Sequence, residues 1–433
     1  MRFGVNYTPS NGWFHSWLHP DWDSVSQDLD AIAGLGMDHI RIFPLWPILQ
    51  PNRTWINEAA LDDVRHMTQL ADERGLDVFS DVLQGHLSSF DFVPSWLVSW
   101  HETSMFTDPN AIAAEARLVS AVYAALEDIG HFQGLTLGNE CNQFADRVHP
   151  RRMDASSADI DGWLNALLAP IRDKANRQGR VLLHSENDAV WYADHHAFMP
   201  CHAAGIGDIT AIHSWVFNGT AQRYGGLSQE STRHGEYLIE LSKAFADSAD
   251  HPVWLQEIGA PGNVIAAADM PRFCSGSIEH AADCTNLYGI TWWCSHDVNH
   301  ALSDFPPFEH DLGLFDENGA LKPIGRQYAK LADEYRRRPE PSPRSTAVVV
   351  QVGVDGNPTL KAACSPGGSV FERWMALSAK GERPAIISSI TAGNPQALAL
   401  RGISNYEQVE MVAGNAYSAV SDPSLEAAMA SAS

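Results

Sequence analysis

The sequence predicts an α/β fold: a (β/α)8 barrel of the TIM type, followed by a small C-terminal α/β appendage. Eight short apolar runs alternate with amphipathic helical stretches along most of the chain. Nearly continuous apolar runs are typical of parallel strands that are buried on both faces. The length of 433 residues fits one barrel of about 250–350 residues plus an appendage.

The predicted strands are spaced widely enough for a helix to follow most of them. They cover residues 3–7, 39–44, 77–83, 134–140, 181–187, 208–214, 253–259 and 289–297. Helical periodicity predicts helices at 23–35, 59–74, 111–126, 160–177, 235–245, 271–287 and 323–335. The link at 188–207 has the weakest helical pattern. Successive βα units of this kind favour the barrel over other α/β folds.

Composition divides the chain into three parts. The barrel is predicted to span residues 1–335, and the charged, proline-rich residues 336–346 (RRRPEPSPRST) are expected to be an exposed linker. Strands predicted at 347–354, 385–389 and 407–412 and a helix at 369–379 indicate a small C-terminal domain, which with its tail covers 347–433. The alanine- and serine-rich residues 413–433 are expected to be disordered.

Charge and cysteine usage limit the partners and the compartment. The formal net charge is −24, and an acidic surface repels phosphates, so neither a nucleic acid nor a membrane is an expected partner. No apolar run is long enough to predict a membrane span. The six cysteines show no disulfide or metal spacing, and no leader pattern precedes the first strand, so we expect a cytoplasmic protein with reduced thiols. The sequence leaves the oligomeric state open.

Two glutamates close predicted strands at the expected position of a barrel active site. Reacting groups of such barrels lie at the C-terminal ends of the strands. Glu140 ends the fourth strand and Glu257 ends the seventh, so their carboxyls can converge across the barrel mouth. A lone glutamate there is more often a salt-bridge partner. A pair favours glycoside cleavage, which needs one protonated acid and one ionised carboxylate.

Other polar and aromatic residues at the same strand ends are candidates for substrate binding. Consecutive strand residues point to opposite faces, so only one of two adjacent tryptophans on the eighth strand can face the site. Glu186 is a rival carboxylate, expected to bind substrate hydroxyls or a neighbouring arginine. The histidine pairs match no metal-binding motif, so neither a metal nor a cofactor is predicted. The candidates are Arg41, His86, Asn139, Glu186, His213, Trp215, Trp292, Trp293 and Asp297.

The ordered set of motifs resembles the clan A glycoside hydrolases, and family 5 most closely, over residues 1–335. It consists of Arg41, the GNE that ends at Glu140, His213, the LQEIG that contains Glu257, and a tryptophan on the eighth strand. The segments GVNYTPSNGW, NEC and WWCSHD are similar to the family's bacterial exo-β-mannosidase branch. That branch acts on mannose β-linked to N-acetylglucosamine from N-glycan cores. Alternatives are an endo-β-mannanase or β-glucanase, and a non-catalytic sugar-binding barrel.

The resemblance implies a retaining double displacement on a short β-mannoside. Glu140 would be the general acid/base, and Glu257 would be the nucleophile. Asn139 would hydrogen-bond the sugar 2-hydroxyl, and Arg41 would lie beneath Glu257 and keep it ionised. Retaining pairs stand about 5–5.5 Å apart, and inverting pairs about 6.5–9.5 Å apart, so the short separation is expected here.

The resemblance also implies roles for the remaining side chains. His213 would hydrogen-bond near the acid/base or the reacting sugar. Trp293 would form the floor under that sugar, with Trp292 as the alternative. Many family members have a tyrosine two residues after the strand-six histidine, bonded to the nucleophile. This chain has Trp215 there, so the partner of the nucleophile stays open, and Trp215 is expected to wall the pocket instead.

Overall fold

The protein forms the predicted eight-stranded parallel barrel in a computed structural model that describes residues 1–101 and 103–414. The hydrogen-bonded order of the strands is β5-β4-β3-β2-β1-β8-β7-β6. The tail that the sequence predicts to be disordered lies, from residue 415 onward, outside the described residues. The strands are β1 (Arg2–Asn6), β2 (His39–Ile42), β3 (Asp77–Leu83), β4 (Phe132–Asn139), β5 (Val181–Ser185), β6 (Thr210–Ser214), β7 (Val253–Ile258) and β8 (Leu287–Trp292).

The barrel closes between β5 and β6 through one aspartate. The backbone N–H of Asp208 donates to the carbonyl of Leu182 at 2.8 Å. The Asp208 carboxylate in turn accepts the N–H of Leu182 at 2.6 Å. These two bonds satisfy backbone groups of β5 that an open sheet edge would leave unpaired.

The predicted helices are all present, with ends shifted by a few residues. Where the helical pattern is weakest, between β5 and β6, the chain forms only the short helices Ala189–Tyr192 and Pro200–Gly205. Other short helices are Trp46–Leu49, Thr220–Tyr224, Gln229–Thr232, Ser389–Ala392 and Pro395–Leu400. 3-10 helices cover Trp13–Leu18, Cys141–Ala145, Ala267–Asp269, Pro307–Asp311 and Lys361–Ala363. The longer barrel helices are α1 (Trp22–Gly34), α2 (Glu58–Asp72), α3 (Pro109–Leu126), α4 (Ser157–Gln178), α5 (His234–Lys243), α6 (Met270–Ala281) and α7 (Pro323–Arg336).

Local chemistry fixes the ends of the longest helix. Ser156 caps α4 by accepting the N–H of Asp159, whose side chain bonds back to the Ser156 N–H. Gly179 follows the helix with φ of 67°, a conformation that favours glycine because it has no Cβ.

The interior of the barrel is filled below the site. Phe79, Leu183, Ile209, Ala211 and Trp254 form a buried cluster inside the strands. The barrel is therefore a packed core rather than a channel.

The C-terminal part forms a three-stranded parallel sheet with one longer helix. The strands are β9 (Thr346–Val350), β10 (Pro384–Ser388) and β11 (Asn405–Gln408), in the order β10-β9-β11, and the helix is α8 (Ser369–Ser378). Trp374 of α8 packs against Tyr237 of α5, with ring centroids 5.4 Å apart. Tyr237 also donates to the carbonyl of Cys364 at 2.6 Å. The apolar core therefore runs from the barrel into this sheet without a break.

The segment predicted as an exposed linker is exposed at most positions, but the prediction is wrong at Arg344. This side chain is buried, and it donates to Glu236 at 2.7 Å and to the carbonyl of Pro384 at 2.9 Å. A charged, proline-rich composition predicts exposure, and it carries no information about a buried carboxylate on a distant helix.

Two further observations bear on the compartment and the membrane. All six cysteines are free thiols, as the spacing predicts. Within the described residues, no helix combines the length and the apolar character needed to cross a bilayer.

Candidate active site

The structure brings Glu140 and Glu257 together at the barrel mouth. Glu257 lies within β7, and Glu140 directly follows β4 in a left-handed conformation with φ of 45°. The chain enters the short helix Cys141–Ala145 at once, and this turn sets the direction of Glu140. Carboxylate oxygens of the two residues lie within 4.8 Å of each other. This is below the separation of about 6.5–9.5 Å of inverting pairs and agrees with the close spacing of a retaining pair.

Arg41 lies beneath the pair and is fully buried. Its Nε and Nη2 each donate to Asp81 at 2.8 Å, and its Nη1 donates to Glu257 at 2.9 Å. Burying an arginine costs less when every N–H finds an acceptor, and bidentate carboxylate pairs are the strongest of these contacts. The remaining acceptors come from β1, β4 and β5, at 3.3, 2.7 and 3.2 Å: Asn6, Asn139 and Ser185.

Trp215 contacts the second oxygen of Glu257. Its indole N–H donates to Oε2 at 3.1 Å, so Trp215 is a hydrogen-bond partner of Glu257 and does more than wall the pocket. An indole N–H only donates. It therefore favours an ionised Glu257 in the same way as Arg41 does on the other oxygen.

Trp292, the last residue of β8, and Trp293, which follows it, point in opposite directions. The ring of Trp293 lies 6.4 Å from Trp215 and 5.5 Å from Phe43, on the side of the site. The alternative that Trp292 faces the site is wrong. Trp292 packs 5.6 Å from Tyr328 of α7 and donates to a backbone carbonyl, because consecutive strand residues alternate between faces.

Glu140 accepts hydrogen bonds from two side chains. His213 Nδ1 lies 2.7 Å from Oε1, and Gln143 Nε2 donates to Oε2 at 2.7 Å. On its other side, His213 Nε2 lies 3.1 Å from Oε1 of Gln256. Sequence reasoning missed both glutamines. The position of Gln143, three residues after Glu140 in a short helix, is a local signal that could have identified it.

Glu140, His213 and Glu257 titrate as one unit, because each lies in the field of the other two. Burial lowers the pKa of His213, but the two carboxylates outweigh burial and raise it. Burial raises the pKa of Glu140, but the hydrogen bond and charge of His213 outweigh burial and lower it. Burial also raises the pKa of Glu257, against the opposing charges of His213 and Arg41.

The location of one proton decides which carboxyl is the acid. While His213 carries the proton, Glu140 is the more acidic of the two glutamates. When the proton moves from Nδ1 of His213 to Glu140, His213 becomes neutral. The permanent charge of Arg41 and the indole N–H of Trp215 then favour the ionised form of Glu257.

His86 belongs to a second cluster beside the site. Its carbonyl accepts an N–H of Asn139 at 2.7 Å. Asp91 lies 3.2 Å from His86 Nδ1 and 3.3 Å from His149 Nε2. Burial raises the pKa of Asp91, but the two histidines hold it well below its usual range.

The spacing within this cluster would suit a metal ion, because the three ligand atoms lie within 4.8 Å of one another. However, His149 Nδ1 accepts the backbone N–H of Arg151 at 3.1 Å. Its Nε2 therefore carries the proton and directs it at Asp91. The cluster fits a carboxylate that bridges two imidazoles.

Two predicted substrate-binding acids have protein partners of their own. Glu186 is bonded to His184, so the expectation of an arginine partner is wrong. Asp297 accepts two bonds from Lys322, at 2.7 and 2.9 Å, and burial raises its pKa to about 6. Among the described residues, neither acid is hydrogen-bonded to Glu140 or Glu257.

Several solved structures are similar to this chain over nearly its whole length. A GH5_18 from Bifidobacterium longum subsp. infantis is 57% identical with a TM-score of 0.95, and the match covers 97% of this chain and 99% of that one. A GH5_18 from Bifidobacterium longum subsp. longum ATCC 55813 is 54% identical with a TM-score of 0.95 and coverage of 98% and 100%. A GH5_18 from Streptomyces cattleya is 47% identical with a TM-score of 0.91 and coverage of 94% and 98%.

The structures of the second and third proteins are of glutamate-to-alanine variants in complex with Manβ1-4GlcNAc. No protein-family model and no curated protein matches the chain.

Proposed function

The chain belongs to GH5_18, a subfamily of glycoside hydrolase family 5, and on this basis we propose that it is a retaining exo-β-mannosidase that hydrolyses Manβ1-4GlcNAc. The observation that carries the proposal is the close pair formed by Glu140 and Glu257, in a chain 54% and 47% identical to proteins solved with that disaccharide. One carboxyl of such a pair supplies a proton and the other attacks the sugar.

In the first step, an oxygen of Glu257 bonds to the anomeric carbon of mannose. The bond from that carbon to the glycosidic oxygen breaks, and the departing oxygen takes a proton from Glu140. The bonds from Arg41 and Trp215 support the nucleophilic role of Glu257, because each oxygen is held by one donor. Fixed orientation lowers the entropy cost of attack.

In the second step, water attacks the anomeric carbon of the mannosyl–Glu257 ester. Glu140, now ionised, takes a proton from that water, and the ester bond breaks to release mannose. Gln143 and His213 hold the two oxygens of Glu140 in this step.

Two further side chains are proposed to contact the reacting sugar. Trp293 offers an aromatic face for the apolar side of the mannose ring. Asn139 uses one lone pair for Arg41 and one N–H for the carbonyl of His86, which leaves its second N–H for the sugar 2-hydroxyl.

Rates on a panel of substrates test the proposed function. The purified protein is given Manβ1-4GlcNAc, polymeric β-mannan and the 4-nitrophenyl β-mannoside, β-glucoside and β-galactoside. We expect the disaccharide and the β-mannoside to be cleaved and the polymer to yield no internal fragments. Preference for the glucoside, or no cleavage of Manβ1-4GlcNAc, would overturn the proposal.

Azide products separate the roles of the two glutamates. Each substitution to alanine should lower turnover by about 10²-fold or more. With an aryl β-mannoside, Glu140→Ala and azide should give the β-mannosyl azide, because azide needs no general base. Glu257→Ala should give the α-azide by direct attack. If the anomers of the two products are swapped, the roles of Glu140 and Glu257 are reversed. The matched control is Glu115→Gln, which changes a buried acid of α3.

We also propose that the protein acts in the cytoplasm on the disaccharide left from N-glycan cores. Six free thiols support this compartment, because reduced cysteines are usual there. Cell fractionation with an antibody to the protein tests the location, and enrichment in the extracellular fraction would contradict it.

A further inference from the structure

Gln256 reaches the site through an irregularity in β7. Between β6 and β7 the register passes from the pair Ile212–Leu255 directly to His213–Glu257, so Gln256 is an extra residue on β7. Such a bulge re-aims side chains. As a result, Gln256 and Glu257 both have partners among the residues of the site although they are consecutive in the strand.

The two ends of the Gln256 amide have different partners. Its Nε2 donates to the hydroxyl oxygen of Thr136 at 3.4 Å. This leaves Gln256 Oε1 facing His213, where it can only accept a hydrogen bond.

The direction of these bonds continues to His213. Because Gln256 Oε1 accepts, the proton at its partner, His213 Nε2, stays on that nitrogen. Nδ1 is then the only ring nitrogen that can exchange a proton with Glu140, at 2.7 Å. The bonds form one chain from Thr136 through Gln256 and His213 to Glu140.

We infer that Gln256 is a positioning residue for acid/base catalysis: it holds His213 in the Nε2–H tautomer, so that Nδ1 and Glu140 share one proton. The inference rests on the proposed acid/base role of Glu140. When the proton is on Glu140, the pair is ready to protonate the leaving oxygen. While Glu140 is ionised, the imidazole can hold the proton and balance the charge.

The charges that face His213 come from several strands. Glu140, Glu257 and Asp81 are negative and favour its protonated form, whereas Arg41 opposes it. Gln256 is the uncharged neighbour among these groups. A change there can alter the tautomer without removing any of the four charges.

Substrates with different leaving groups test the inference in Gln256→Leu. For Manβ1-4GlcNAc, whose leaving oxygen needs a proton, we expect kcat/KM to fall by about tenfold, the effect of losing one hydrogen bond of about 1.4 kcal/mol. For 2,4-dinitrophenyl β-mannoside, which leaves without protonation, kcat/KM should change by less than about threefold. The matched control is Gln50→Leu, which removes a fully buried amide with two bonds, to Trp46 and Ala114, in another part of the barrel.

Gln256→Glu keeps an acceptor oxygen and adds a negative charge. We expect it to cleave the disaccharide better than Gln256→Leu. The basic limb of its pH profile should lie at higher pH than in the wild type, because the added charge holds the shared proton more tightly. A purely structural amide would give equal losses on both substrates and no displacement of this limb, and either result would overturn the inference.

Nitrogen NMR of labelled histidines gives a readout that needs no activity. In the wild type, His213 Nε2 should remain protonated throughout the titration, with Nδ1 alone losing its proton. His213→Asn serves to assign the signals. An unprotonated Nε2 in the wild type would refute the inference even if the protein hydrolyses β-mannosides. Conversely, if the protein shows the Nε2–H tautomer but cleaves no glycoside, the proposed function is refuted and the assignment of the tautomer stands.

Discussion

Replacing Trp215 by phenylalanine removes one donor from the proposed nucleophile and keeps an aromatic side chain. The lost bond is the indole N–H to Glu257 Oε2, 3.1 Å long. A hydrogen bond to a charged group contributes about 1.5–3 kcal/mol, which corresponds to about 10- to 150-fold in rate. Arg41 still holds the other oxygen at 2.9 Å. We therefore expect an effect at the lower end of this range, so that kcat/KM for aryl β-mannosides falls by about tenfold.

The pH profile of Trp215→Phe should also change in a defined direction. The indole N–H stabilises the ionised form of Glu257 and so lowers its pKa; without it the pKa rises. Attack needs the ionised form, so the acid limb of kcat/KM should move to higher pH. Trp374→Phe is the matched control, since it loses an indole bond of 2.7 Å to the carbonyl of Pro384. A wild-type rate and acid limb in Trp215→Phe would show that Trp215 only walls the pocket.

Two further predictions concern stability. Burial raises the pKa of Glu115 from 4.5 to about 8, so the fold favours its protonated form and loses stability as pH rises from about 4.5 to 8. Glu115→Gln should abolish this loss and be about 3 kcal/mol more stable than wild type at neutral pH. Below pH 4.5 the two proteins should differ little in stability. Equal urea unfolding curves at neutral pH would contradict this prediction. Arg344→Met leaves Glu236 and Glu240 with one cation fewer and should cost about 3 kcal/mol, measured as a lower Tm. Unchanged Tm would refute the stabilising role of Arg344, and kcat at a temperature where the variant is folded should match wild type.

The fold could be predicted because the strands of a barrel are short, apolar and regularly spaced. The run at residues 77–83, for example, coincides with β3. The exposure of the segment before β9 could be predicted only in part. Arg344 is buried by partners more than a hundred residues away in α5, and no local pattern reports such a distant contact.

The candidate site shows the same division between local and distant information. The positions of Glu140 and Glu257 follow from strand ends alone. Asp81 lies inside β3 rather than at its end, so a search of strand ends missed it. The contribution of Gln256 depends on a bulge, which period-two alternation cannot predict.

The tryptophans illustrate a third limit of sequence reasoning. Alternation between strand faces established that only one of Trp292 and Trp293 could face the site, and the choice required the packing of α7 against Trp292. The contact of Trp215 with Glu257 likewise depends on the length of the indole. The side chain follows β6 and reaches a carboxylate on the neighbouring strand β7.

Arg41 has acceptors on five other strands, and they are synthesised at very different times. Asn6 precedes it in the chain, Asp81 follows after 40 residues, and Glu257 only after 216. A growing chain therefore carries this cation long before its last carboxylate exists, and closing so long a loop costs more conformational entropy than closing a short one. Glu257, the proposed nucleophile, is the last of Arg41's partners to leave the ribosome, so a nascent chain cannot form the pair of Arg41 with Glu257 until β7 has emerged.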